Sequence, residues 1–143
     1  MEFFMKNISL LAQSTMTYRD KVFSSMGISG AQVKYLLGVA GDEGISQDML
    51  AKKMMINKSN VARQLSALEK NGFIKREQSG EDRRVMLVYT TDKGKAIVPK
   101  LREENGRWRE IVCQGLTKEE REQLAYLLDK LISNARAYLG CEL

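Results

Sequence analysis

The chain has 143 residues, 43% of them apolar and 29% charged, with a formal net charge of +5. That length suits one domain able to bury a core and leaves no room for a second. With no His and no phosphate-cradling glycine motif, the chain excludes a typical zinc site and a Ser-His-Asp triad, and its two distant cysteines, Cys113 and Cys141, suit a reducing cytoplasm better than a disulfide scaffold, so no catalysis, metal or other cofactor is expected.

The first helix is expected over residues 2–26, carrying Phe3, Phe4, Ile8, Leu11, Met16, Val22 and Phe23. Its run Ile8-Ser9-Leu10-Leu11-Ala12 is too short for a signal-peptide core and lacks a basic leader. No apolar stretch reaches membrane-spanning length, so a cytoplasmic protein with no membrane partner is expected. Ser29-Gly30-Ala31-Gln32 forms a capping box that opens a second helix, ending near Gly41. Ser46 begins a short helix, Gln47 to Met54, with Met49, Leu50 and Met54 on one side. Met55, Ile56 and Asn57 form a tight turn, and the next helix covers residues 58–71, stopping at Gly72. Two β-like runs follow, residues 73–78 and 85–91, joined by the charged tip Ser79-Gly80-Glu81-Asp82-Arg83-Arg84. Thr91 caps a long helix over residues 92–113, in which Pro99 predicts a kink. Thr117-Lys118-Glu119-Glu120 is a further capping box opening the last helix, which repeats Leu124, Leu127, Leu128, Leu131, Ile132, Ala135, Tyr138 and Leu139.

Two short helices around a three-residue turn, followed by a basic hairpin, suit a protein that lies across a DNA duplex. In the helix over 58–71, Val61, Leu65 and Leu68 fall within roughly 60° of arc, a stripe that must face the core. Ser59, Arg63, Ser66 and Lys70 fall on the opposite side, with Asn60, Gln64 and Ala67 beside them, and Lys58 at the helix start is expected to meet DNA as well. Small hydroxyls let a helix approach the major groove closely, and an Arg can fork onto guanine O6 and N7. Read alone, the same residues describe an ordinary solvated face; the adjacent turn and hairpin decide for DNA. At the tip, Ser79-Gly80 supplies a turn, with Gly free to take positive φ. Asp82 can fold back onto backbone donors or pair with an Arg, and Arg83 and Arg84 can reach a minor groove or phosphates. Adjacent side chains in an extended hairpin point to opposite faces, so only one of the two is expected to face the groove squarely. Charge follows the same division. Residues 46–84 hold nine Lys or Arg against five Asp or Glu, a net of +4, and the remainder nets +1.

The segment Asp82-Arg83-Arg84-Val85-Met86-Leu87-Val88-Tyr89-Thr90-Thr91-Asp92-Lys93-Gly94 resembles the wing signature of the MarR family of bacterial transcription regulators. That signature reads acidic-any-Arg, a β-run, then Thr-acidic-Lys-Gly opening a helix; its acidic-any-Arg matches Asp82 and Arg84, which implies Arg84 in the minor groove and Arg83 at phosphate or solvent. Val61-Ala62-Arg63-Gln64-Leu65 and Leu68-Glu69-Lys70-Asn71-Gly72-Phe73-Ile74-Lys75-Arg76 look like the family's recognition helix and its Leu-Glu-Lys-any-Gly exit. Gln32, Leu36-Leu37 and residues 45–51 fit the preceding helices, so the likeness covers nearly the whole chain. Thr90 stands where an aliphatic residue is usual, which implies looser strand packing, and Asn60 stands where Thr or Ser is frequent.

The expected fold is mainly α with a small β-hairpin wing, a winged helix-turn-helix with helical dimerisation termini. Residues 1–143 would form one MarR-like domain: dimerisation helices at 1–27 and 113–143, the winged lobe at 28–94 and a connecting helix at 92–113. The resemblance implies a homodimer built from both termini, a palindromic operator, and a ligand-responsive repressor of double-stranded DNA rather than an enzyme. It also implies a crevice for a small aromatic or anionic effector, which Met16, Arg19, Phe23 and Tyr35 can line, although side chains at that spacing equally serve as plain core. Two other functions fit the same scaffold: a thiol-based redox sensor, and a winged-helix module that binds protein. The first helix carries no Cys, and Arg63, Arg84 and the basic lobe weigh against a protein-binding module.

Overall fold

A computed structural model of the chain describes residues 2–141. Helix α1 spans Glu2–Phe23 and passes through a 3-10 turn, Ser24–Met26, into α2, Gly30–Gly41. A two-residue strand β1, Ile45–Ser46, precedes α3, Gln47–Met54, and α4, Lys58–Lys70. Strands β2, Ile74–Gln78, and β3, Met86–Thr90, form the hairpin, and α5, Asp92–Val112, leads to α6, Lys118–Leu139. No helix among the described residues is long and apolar enough to cross a membrane.

Local sequence explains where the helices begin. Ser29, Ser46, Asn57, Thr91 and Thr117 each sit in extended backbone and accept a hydrogen bond from the amide three residues on. Caps of this kind contribute about 1 kcal/mol each. The boxes at Ser29–Gln32 and Thr117–Glu120 are reciprocal, as expected from their spacing. Met55 ends α3 in the left-handed region, φ 55°, the one non-glycine there among the described residues.

The hairpin belongs to a larger sheet than the sequence indicated. β1 pairs antiparallel with β3, Ile45 opposite Val88, giving the order β1-β3-β2. Two residues are too few to show any periodicity, so this strand exists only because β3 offers it an edge. The first helix ends at Phe23 rather than 26, and each strand is shorter than expected at its outer end. The fifth helix continues through Pro99.

Thr90 corrects the expectation of looser packing. It is 4% exposed, and the Glu43 carboxylate accepts hydrogen bonds from both its amide (2.9 Å) and its hydroxyl. The hydroxyl is thus satisfied in a position that burial would otherwise penalise.

Leu36, Val39, Leu50, Val61, Leu65, Leu68, Phe73, Val88 and Leu101 form the centre of one apolar core. It lies among α2, α3, α4, the sheet and the first half of α5. Helix α1 is tied to α5 through Tyr18 stacked on Trp108 at 4.6 Å and a Tyr18 hydroxyl donated to Glu104 at 2.7 Å. Helix α6 buries no side chain at all.

Candidate nucleic-acid interface

On α4 the apolar and polar stripes separate as the helical arithmetic requires. Val61, Leu65 and Leu68 are buried, while Lys58, Ser59, Arg63, Ser66 and Lys70 are exposed and Asn60 and Gln64 half-buried. The side chains at the start of the helix orient one another. Asn57 accepts from the Asn60 amide (2.7 Å) and the Ser59 hydroxyl (2.9 Å), and Asn60 Oδ1 accepts from Arg63 Nη2 at 2.8 Å. Asn60 therefore holds the Arg63 guanidinium, a role that its amide supplies and a shorter Ser or Thr would not. Lys58 pairs with Asp48 of α3 at 3.0 Å, an exposed contact worth little energetically.

Behind this face lies a cluster that sequence reasoning passed over. The Arg76 guanidinium on β2 donates to Glu69 Oε1 (3.3 and 3.0 Å), to Gln47 Oε1 (3.1 Å) and to the Ser66 hydroxyl (3.0 Å). The Arg76 amide adds a bond to Glu69 Oε2 at 2.9 Å, and these contacts hold the Glu69 carboxyl below its usual range. One half-buried Arg thereby joins the start of α3, the exposed side of α4 and the first strand of the hairpin. Arg forks of this type fix orientation as well as energy. Ser66, expected on the DNA face, is exposed but spends its acceptor on Arg76. The Leu-Glu-Lys-any-Gly run contained the signal, since Glu69 is its acidic member.

The wing tip departs from the extended geometry assumed for it. The Val85 amide donates to the Asp82 carbonyl at 2.9 Å, so Asp82–Val85 is a β-turn with Arg83 and Arg84 at its corners. The strict alternation argument does not apply to corner residues. Gly80 lies outside the positive-φ glycines, so the turn does not use its freedom. Asp82 folds back in both expected ways, accepting from the Arg84 amide at 3.0 Å and from Nε and Nη2 of Arg84 at 3.1 Å. Those bonds hold the Asp82 carboxyl below its usual range. Arg83 and Arg84 are both exposed.

The Thr-Asp-Lys-Gly run after the wing has a steric basis. Thr91 donates its hydroxyl to the Gly72 carbonyl (2.5 Å) and accepts from the Gly94 amide (3.1 Å), while the Thr91 amide donates to the Phe73 carbonyl (3.1 Å). A Cβ at position 94 would overlap that same Phe73 carbonyl oxygen, so only glycine lets α5 start this close to β2. The run locks the exit of α4, the base of the wing and α5 together.

Of the four residues expected to line an effector crevice, two are buried and two half-buried. Phe23 is 0% and Tyr35 2% exposed, both within the apolar core, where burial pushes the Tyr35 phenol up. Both therefore pack as core side chains within one chain. Met16 and Arg19 stay half-buried on α1, and Arg19 Nε donates to Asn105 Oδ1 of α5 at 3.0 Å. Cys113 and Cys141 are both free and half-buried.

Comparison with known proteins places this geometry. The sequence profile of the MarR family matches residues 28–86, from the entry to α2 to the start of β3. The HTH-type transcriptional regulator BilQ of Clostridium symbiosum (strain WAL-14163) is 30% identical over 113 residues, 79% of this chain and 78% of that protein. The uncharacterized HTH-type transcriptional regulator YybA of Bacillus subtilis (strain 168) is 27% identical over 130 residues, 91% of this chain and 87% of that protein. Among solved structures, a MarR family transcriptional regulator from Listeria monocytogenes complexed with 26mer DNA superimposes with a TM-score of 0.87 at 25% identity, covering 91% of this chain and 87% of that one.

Proposed function

The chain belongs to the MarR family of transcription regulators, which are not enzymes, and from that premise we propose that it is a homodimeric, cytoplasmic repressor of a palindromic operator, responsive to a small aromatic or anionic effector. Residues 1–143 act as one unit, with residues 1–27 and 113–143 joining two copies, 28–94 reading DNA and 92–113 connecting them. Lys58, Ser59, Asn60, Arg63, Gln64, Ser66 and Lys70 of α4 meet the major groove, while Arg83 and Arg84 meet the minor groove or phosphates, the tip held by Asp82.

One observation carries the proposal. Lys58, Ser59, Arg63, Ser66 and Lys70 of α4 and the Arg pair of the wing are exposed, on a lobe whose Lys and Arg outnumber its acids by nine to five. The solved DNA complex of the Listeria protein supports the same use of this scaffold. The homodimer is supported by the apolar faces of α1 and α6, which lack cover within one chain: Leu131 is 41% exposed and Leu139 61%. Two lobes related by two-fold symmetry read two half-sites about one helical turn apart. For the effector, Met16 and Arg19 are the two expected contacts that keep an accessible flank.

A salt titration on duplex DNA selected from a random pool tests the proposal. Two chains are expected per duplex, with about 10³-fold or greater preference over unselected DNA. Affinity is expected to fall linearly in log-log form with salt, by close to one unit of slope per phosphate contacted. Equal, weak binding to all duplexes would leave the lobe as a protein-binding module.

A further inference from the structure

Arg136 lies in the last turn of α6, the helix that buries none of its own side chains. Its guanidinium nevertheless reaches the DNA-binding lobe. Nη1 donates to the Lys52 carbonyl at 3.2 Å and Nη2 to the Lys53 carbonyl at 2.5 Å, both in the last turn of α3. Nη1 also meets the Cys141 carbonyl at 3.3 Å, just past the end of its own helix.

The position of that contact matters. The last four carbonyls of a helix have no donor within it. At the end of α3 the Met55 and Ile56 amides serve Ala51 and Lys52, and Arg136 supplies the donor at Lys53. A cation there also complements the negative end of the helix dipole. Beyond it come only the turn Met55, Ile56 and Asn57 and then α4 itself. Met55 holds a left-handed backbone conformation, so the turn has little slack to take up a displacement of α3.

Close packing does not duplicate the tie. Between Leu139–Cys141 and the α3–α4 turn lies an open cavity of about 610 Å³, bordered by Met49, Met55 and Ile56. Among the described residues, a directional fork beside an open gap spans the two elements at this point.

We propose that Arg136 is a positioning residue: through the carbonyl end of α3 it sets the angle of each reading helix relative to the terminal helices, and with it the half-site spacing that the protein accepts. The assignment rests on the homodimeric reading above, since spacing has meaning only for two joined lobes.

The test begins with a duplex selected on the wild-type chain from a random pool. Its two half-sites are then moved apart and together one base pair at a time. Wild-type affinity should peak at one spacing. Arg136→Ala should lower that peak about ten-fold, the scale of a charge-assisted hydrogen bond, and change the neighbouring spacings by no more than about two-fold, so that the profile flattens. Arg136→Lys keeps the charge but not the two-pronged fork, and should give an intermediate profile with unchanged sedimented mass. A uniform loss at every spacing would reduce Arg136 to a generic charge or a stabilising contact and overturn the assignment, as would an unchanged profile. A wild-type chain that sediments as a monomer overturns the dimeric reading and the assignment with it; a dimer with a spacing peak that Arg136→Ala leaves intact overturns the assignment alone.

Discussion

The winged lobe and the terminal helices carry the same kind of amphipathic pattern and meet opposite fates within one chain. In the lobe the stripe of the reading helix finds its partners: Val61, Leu65 and Leu68 of α4 all lie in the core against α2, α3 and the sheet. On α6 an equally regular stripe finds none, and Leu124, Leu127, Leu131 and Ile132 stay exposed beside Phe4, Ile8 and Leu11 of α1. A 3.6-residue period therefore dictates a helix and a face, but not what covers the face. Exposed apolar surface of this extent marks an interaction site.

The comparison is open to direct attack, beginning with the largest expected effect. Leu131→Asp would place an unpaired charge in the joined stripes, at a cost of about 3–5 kcal/mol to association. Sedimentation should then shift from twice the 16.2 kDa chain to one chain, with helicity retained and operator binding lost. A Leu131→Asp dimer of normal operator affinity would break the contrast between the regions.

Leu65→Ala probes the other side of it. Leu65 is fully buried, so its truncation should cost roughly 2–5 kcal/mol of unfolding free energy in a urea titration. The same truncation at Leu131 should leave the unfolding of a dilute, monomeric sample almost unchanged. Equal losses at the two sites would mean that α6 is covered within its own chain.

Within the lobe, Arg63→Ala should lose roughly 1–3 kcal/mol of discrimination at one base pair per half-site. Lys58→Ala or Lys70→Ala should weaken binding to all sequences alike and flatten the salt slope. Loss of equal size on operator and random DNA for Arg63→Ala would reduce it to a phosphate contact. A smaller effect is expected at the wing, where Arg84→Ala should weaken binding more than Arg83→Ala, chiefly on sites with narrow, A·T-rich flanks. Breaking the Asp82–Arg84 fork offsets part of any gain, so the margin is modest, and titrations at one salt concentration read it directly.

The smallest effect concerns acid. Arg76 holds the Glu69 carboxyl below the usual glutamate range, so the bond contributes stability above that range and loses it as pH falls through the lower, folded value. Urea midpoints taken from pH 6 downward should decline in the wild type more steeply than in Glu69→Gln. Parallel curves would show that the Arg76 cluster leaves no mark on stability.

What the sequence by itself determined was local. Caps at Ser29, Ser46, Asn57, Thr91 and Thr117 announce helix starts, because each is a short-range bond between neighbours in the chain. The division of α4 into buried and exposed faces follows from period alone. Tertiary structure decided the rest. Strand β1 forms only where β3 presents an edge, 43 residues downstream at the Ile45–Val88 pair. Thr90, an oddity in one dimension, is satisfied by Glu43 from 47 residues away. Phe23 and Tyr35 were indistinguishable from ligand contacts until the helices closed over them. Arg76 and Arg136 each act by reaching carbonyls and carboxylates on other elements, and such reach depends on how elements are placed in space rather than on neighbours in sequence.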